Sequence, residues 1–122
     1  MLKKFGLGAA LLLAGAMPAF AEDSCAAPLV PAVVDGNTAS RDQIVAGIAA
    51  VKAYIALSDD YQACIGDYLT AQKAQADKDK KSMDPALSRA ESDKITANQN
   101  SKQAVGDAIN VSIGAYKKAH PG

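Results

Sequence analysis

Between Ile44 and Leu69 the apolar residues recur at the spacing of one helix face. Written as a seven-residue repeat, one position carries Ile44, Val51, Ser58 and Ile65, and a second carries Gly47, Tyr54, Tyr61 and Tyr68. A third carries Ile48, Ile55, Gln62 and Leu69. These positions lie side by side along a helix, so the stripe faces a partner, and a seven-residue period makes that partner another long helix packed nearly along it. Ser40 and Gln43 stand ahead of the stripe with the spacing of a capping box, which starts the helix at Arg41. No proline follows until Pro85, so the pattern predicts a helix over about 41–82.

Asp84 followed by Pro85 is the pattern of a cap and a first helical residue. A second stripe then runs through Leu87, Glu91, Ile95, Asn98, Lys102, Val105, Ile109, Ser112, Ile113 and Tyr116. It predicts a helix over 85–119, with Lys117 and Lys118 at the negative end of its dipole. Two helices joined near residue 83 form an antiparallel hairpin. The expected fold is thus all-α, a two-helix, coiled-coil-like hairpin. A tight reversal at residue 83 places Tyr68 opposite Asn98, Tyr61 opposite Val105, Tyr54 and Ile55 near Ile109 to Ser112, and Val51 near Tyr116. The half near the chain termini is then the drier one, and the half near the turn, with Gln62, Gln72, Asn98 and Lys102 in its stripe, should fray.

Residues 22–39 have no helical period. Pro28 and Pro31 fix φ and lack N–H donors, and Asp35-Gly36-Asn37 reads as a turn, so this is an extended arm. The chain before it opens with Lys3 and Lys4, an apolar run to Met17, Pro18, and then Ala19-Phe20-Ala21. That order predicts a secretory signal peptide over residues 1–21 with cleavage after Ala21. The run is short for a membrane span, which needs about 20 apolar residues. Cys25 follows Glu22-Asp23-Ser24 rather than a lipoprotein box. The mature chain is therefore expected to be periplasmic, without membrane insertion.

Export changes the reading of the 2 cysteines. In an oxidising compartment they argue for one disulfide, Cys25 to Cys64, with two free thiols or an intermolecular pair as the alternatives. The bridge asks the arm to run back along roughly 34 Å of helix at 1.5 Å per residue, and in extended form it reaches roughly 46 Å. Leu29, Val33 and Val34 would then lie against Leu57 and the tyrosine flank, so that the tyrosines wall a groove the arm fills. The rival arrangement leaves the tyrosine row as an exposed aromatic platform.

Without Lys3 and Lys4 the 13 basic residues become 11 against 13 acidic ones. Nucleic acid and anionic membrane surfaces need a basic excess on one face, and the lysines of residues 77–81 are interleaved with acids. Candidate chemistry is sparse. His120, the 1 histidine, sits in a Pro-Gly tail, and Asp59 and Asp60 point about 100° apart on a helix. No Cys-x-x-Cys, His-Glu-x-x-His or glycine-rich phosphate loop occurs. The residues argue against an enzyme, and no metal, cofactor or catalytic set is expected.

"CAAPLVP" (25–31), "DGNTA" (35–39) and "YQAC" (61–64) together carry Cys-x-x-Pro-x-x-Pro, Asp-Gly-x-x-Ala and Tyr-x-x-Cys. In these motifs the chain resembles a group of small exported proteobacterial proteins to which no activity attaches. The resemblance covers residues 25–64 and implies a periplasmic helical hairpin with a Cys25 to Cys64 bridge. The expectation is a non-enzymatic envelope interaction or structural module, monomeric or weakly self-associating, with an envelope protein as partner. A holdase-like chaperone is the first alternative. The second is a small-ligand binder using Tyr68 and Asn98, and the tyrosine row with Asn98 is the candidate interaction groove in each case.

Overall fold

A computed structural model describes residues 23–122; the signal peptide expected over residues 1–21 lies outside them. Two helices make the fold, α1 (Arg41–Lys78) and α2 (Pro85–Ala119), packed antiparallel with an extended arm ahead of them. Among the described residues no helix is long and apolar enough to cross a membrane.

Each helix starts where its cap dictates. Ser40 Oγ accepts from the Gln43 amide at 3.2 Å, while Gln43 Oε1 accepts from the Ser40 amide at 2.8 Å, closing the capping box. Asp84 Oδ1 accepts from the Ala86 amide at 2.9 Å, and Pro85 occupies the first turn, where its missing N–H has no intrahelical use.

The first helix ends at Lys78, short of the expected residue 82. Lys80 adopts φ 51°, the Lys81 amide donates to Ala76 O at 2.9 Å, and the Lys80 amide donates to Asp77 O at 3.2 Å. This is a Schellman closure with lysine where glycine is usual. Lys81 to Asp84 then fold back beside Gln72, Gln75 and Ala76 rather than turning beyond the helix tip.

That return corrects the expected register. Asn98 meets Ser58 and Gln62 rather than Tyr68, and Tyr61 lies beside Asn98 and Ser101 rather than Val105. A tight turn would have set the helices end to end at residue 83, whereas here α2 begins alongside the last turns of α1. Tyr54 and Ile55 still pack near Ile109, within a core of Val51, Tyr54, Val105 and Ile109 flanked by Val33, Ile48, Ile55 and Ile113. The core sits in the half nearer the chain termini, and Ile65 is buried farther along α1.

Candidate functional site

The site predicted by the tyrosine and cysteine arrangement is the groove between the helices, and the arm occupies it. Cys25 and Cys64 are bonded, with Cα atoms 5.8 Å apart. Tyr54 and Tyr61 are buried, 3% and 9% exposed, and Tyr68 is half-buried. Pro28 and Ala27 of the arm lie at Tyr61. A seven-residue spacing put these rings in line, and the disulfide brings the arm back over two of them.

The arm's route differs from the expected one. Leu29 is 93% exposed and Leu57 56% exposed, so they do not pack together. Val33 enters the core instead, Val34 approaches Gly47, and Val34 O accepts a hydrogen bond from Ser112 Oγ of α2. The arm therefore follows the seam between both helices, not the outer flank of α1.

Its far end explains why. The Asp35 carboxylate accepts from the Asn37 amide at 2.9 Å, and Asp35 O accepts from the Thr38 and Ala39 amides, which folds a turn at Asp35–Thr38. The turn presents Gly36 to the backbone of α2. A Cβ there would stand 1.8 Å from Ser112 O and 2.9 Å from Tyr116 N, so only glycine permits this approach.

The near end is electrostatic. Lys94 of α2 reaches Asp23 Oδ2 at 2.9 Å and Glu91 Oε1 at 3.0 Å. Burial, and a hydrogen bond shared with Asp23, push the Glu91 carboxyl above its usual range. The same Glu91 bond, together with that from Lys94, holds Asp23 below its usual range, and both carboxyl contacts raise Lys94. The sequence pattern placed Glu91 in the buried stripe without a partner; its i, i+3 spacing to Lys94 was the available signal.

The seam beneath the arm is polar at mid-length. Asn98 Nδ2 donates to Ser58 Oγ at 3.1 Å, and Gln62 Nε2 donates to Asn98 Oδ1 at 2.9 Å and Gln99 Oε1 at 3.2 Å. Tyr54 OH donates to Ser101 Oγ at 2.6 Å, and Lys102 pairs with Asp59. These bonds satisfy groups that would otherwise be desolvated without partners.

Tyr68 and Asn98, the residues expected to share a ligand site, line different clefts. Tyr68 lines an open cleft of about 330 Å³ at the interhelical turn, with Gln72, Met83 and Leu87. Asn98 lines another of about 240 Å³ beside the arm, with Pro28, Val30, Tyr54, Tyr61 and Lys94. A third, of about 330 Å³, lies at the disulfide and includes Leu57 and Asp60. At the chain end, His120 stacks on Tyr116 with ring centroids 4.3 Å apart, and its Nδ1 lies 3.0 Å from Tyr116 O. Among the described residues no group of three or more His, Cys, Asp or Glu side chains is arranged to hold a metal. Comparisons with protein-family models, curated proteins and solved structures find no match.

Proposed function

We propose that the chain is a non-enzymatic interaction module of the bacterial envelope, exported by its leading segment and acting in the periplasm as a stapled helical hairpin. The observation that carries this reading is the arm. It fills the groove with Val33 and Pro28, yet leaves Leu29 almost wholly exposed, next to half-exposed Val30 and close in sequence to the disulfide. Burying a leucine side chain is worth about 1.5 to 3 kcal/mol, so a leucine displayed on a fixed backbone offers a protein partner an anchor that needs little ordering.

The partner is read as another envelope protein. The slight acidic balance of the mature chain supports no nucleic-acid or anionic lipid surface. The resemblance to a group of small exported proteins through the Cys-x-x-Pro-x-x-Pro motif fits the same reading. Its support is the bridge between Cys25 and Cys64, which suits an oxidising compartment.

The test places a photo-crosslinking residue at position 29, 57 or, as control, 107 on the polar surface, and irradiates intact cells. A module docking through the arm gives one discrete adduct from positions 29 and 57 and none from 107. Equal labelling at all three sinks the reading. A smear of many adducts, with suppression of the aggregation of an unfolded outer-membrane protein, replaces it with the holdase. A large thermal shift with a small molecule replaces it with ligand binding.

A further inference from the structure

Two carboxyl groups share one ammonium where the arm meets α2. The side chains of Asp23 and Glu91 are 4% and 5% exposed, and Lys94 Nζ lies 2.9 Å from Asp23 Oδ2 and 3.0 Å from Glu91 Oε1. Oxygens that both touch one nitrogen stand no more than about 6 Å apart, close enough for two buried negative charges to oppose each other's ionisation. Asp23 Oδ1 also accepts from the Cys25 amide at 3.1 Å, whereas Glu91 Oε2 is buried and receives no donor. Among the described residues the ion pair that α1 makes with α2 is Asp59 with Lys102. The register set by Tyr61 beside Asn98 brings Tyr68, one heptad on, to the level of Glu91, so α1 faces the cluster without a charge.

With both carboxyls ionised the cluster carries one negative charge in excess, and one proton balances it. Glu91 is the group placed to hold that proton. Asp23 receives two donors, Lys94 and the Cys25 amide, which favour its charged form; Glu91 receives Lys94 alone. An acid O–H on Glu91 Oε2 turns a buried acceptor without a donor into the donor of the hydrogen bond that Glu91 and Asp23 share.

We propose that Asp23, Glu91 and Lys94 form a pH-sensitive clasp: the acid form of Glu91 donates to the Asp23 carboxylate and draws the start of the arm onto α2, and loss of that proton to water loosens it. Lys94 stays within reach of Glu91 through their i, i+3 spacing on one helix. When both carboxyls are charged, the member that yields is therefore Asp23, on the arm. The bridge at Cys25 confines the change to the residues ahead of it, and Pro28 and Val33 keep their places. The clasp regulates the arm's first anchor; it goes beyond the interaction reading and does not depend on export.

The two carboxyls bound the range in which the clasp is closed. Burial and the bond to Asp23 raise Glu91, so its contribution is complete below the ordinary glutamate value and is lost as pH rises through the raised one. Asp23 is lowered by its bonds to Glu91 and Lys94, so its contribution is lost on the acid side. The clasp is tightest between the two, in mild acid.

The test follows the side-chain carboxyl carbons of Asp23 and Glu91 in the purified, oxidised chain by nuclear magnetic resonance from about pH 3 to 9, together with the exchange protection of the Cys25 amide. Glu91 is expected to titrate above the ordinary glutamate value, with the Asp23 carbon shifting in the same step. Protection of the Cys25 amide should peak in mild acid and fall on both sides. Glu91→Gln puts a permanent N–H donor where the acid O–H stood, so its protection should persist through neutral and alkaline pH and fall on the acid side alone. Asp23→Asn should bring Glu91 down toward its ordinary value, since Lys94 then serves it alone.

A Glu91 that titrates in the ordinary range with no response at Asp23 overturns the proposal. So does an alkaline fall in protection that Glu91→Gln retains. Should Glu91→Gln fail to fold, the wild-type titration decides alone: a raised step shared by both carboxyls supports the clasp, and two independent ordinary steps overturn it.

Discussion

Gly36 and Ser112 meet backbone to backbone, so closely that a side chain on Gly36 would begin 1.8 Å from the Ser112 carbonyl oxygen. This contact joins the arm to the second helix 76 positions along the chain, and it sits beside the hydrogen bond from Ser112 Oγ to Val34 O. Neither partner is the flexible end of a side chain, so neither can step aside.

Gly36→Ala should therefore destabilise the protein by on the order of 3 kcal/mol, with faster amide exchange from Val33 to Ala39. Gly66→Ala provides the contrast, since a Cβ there meets nothing within 4 Å; alanine in mid-helix should stabilise by about 0.5 to 1 kcal/mol. Denaturant titration of both variants checks the pair. Equal effects would mean that the arm is not seated on α2.

The seam should be specified by its polar layer. Asn98→Ala deprives Ser58 Oγ of its donor and Gln62 Nε2 of one of its two acceptors and is expected to cost about 1 to 3 kcal/mol. In a double-mutant cycle with Ser58→Ala the two changes should couple by at least about 0.5 kcal/mol. Strict additivity would show that the bond contributes nothing to the register.

Lys80 holds a left-handed conformation at φ 51°, costly for a residue with a Cβ. Lys80→Gly should raise stability by about 1 kcal/mol, read as a higher melting temperature with unchanged helical circular dichroism. A loss of stability would show that the lysine side chain does more for the turn than its backbone costs.

Much of the hairpin was legible because caps and stripes are local signals. Ser40 with Gln43, and Asp84 with Pro85, act within one helical turn and are seen where their spacing puts them. The buried Val51, Tyr54, Ser58, Tyr61, Ile65, Val105 and Ile109 all belong to the stripes. Register was not legible, because it depends on how Lys80 closes α1 and how far Lys81 to Asp84 run back, and lysine carries no signal for a left-handed cap. The arm's path was missed for a related reason. Gly36 reads in sequence as a turn residue, and nothing local reveals that its missing side chain is what α2 requires. Asp23 and Glu91, 68 positions apart, meet only in three dimensions.

The arm's near anchor should weaken in acid. Asp23 is held below its ordinary pKa by its bonds to Glu91 and Lys94, so its contribution is complete above the unfolded-state value and disappears as pH falls through the lowered one. Amide exchange at residues 23–28 should accelerate below about pH 4, ahead of α1 and α2. Asp23→Asn should show the fast exchange already at neutral pH and lose the acid step. An acid step that survives in Asp23→Asn would assign it to another carboxylate.

The disulfide closes a loop with a sequence separation of 39, for which chain entropy gives about 4 kcal/mol. It is one of three anchors, since Lys94 holds Asp23 on one side of it and Gly36 with Ser112 holds the other end of the arm. Cys64→Ser should lower the unfolding free energy by about 2 to 4 kcal/mol yet leave the helical circular dichroism intact at low temperature, because the caps at Ser40 and Asp84 and the core around Val51 and Ile109 are built from residues other than the two cysteines. Exchange should rise along residues 24–31 only, with Val33 to Ala39 still protected by the core and by α2. Release of the whole arm would make the bridge its sole staple, and unchanged exchange throughout would make the bridge incidental. Protection that stops between Pro31 and Val33 is the outcome that the three anchors require.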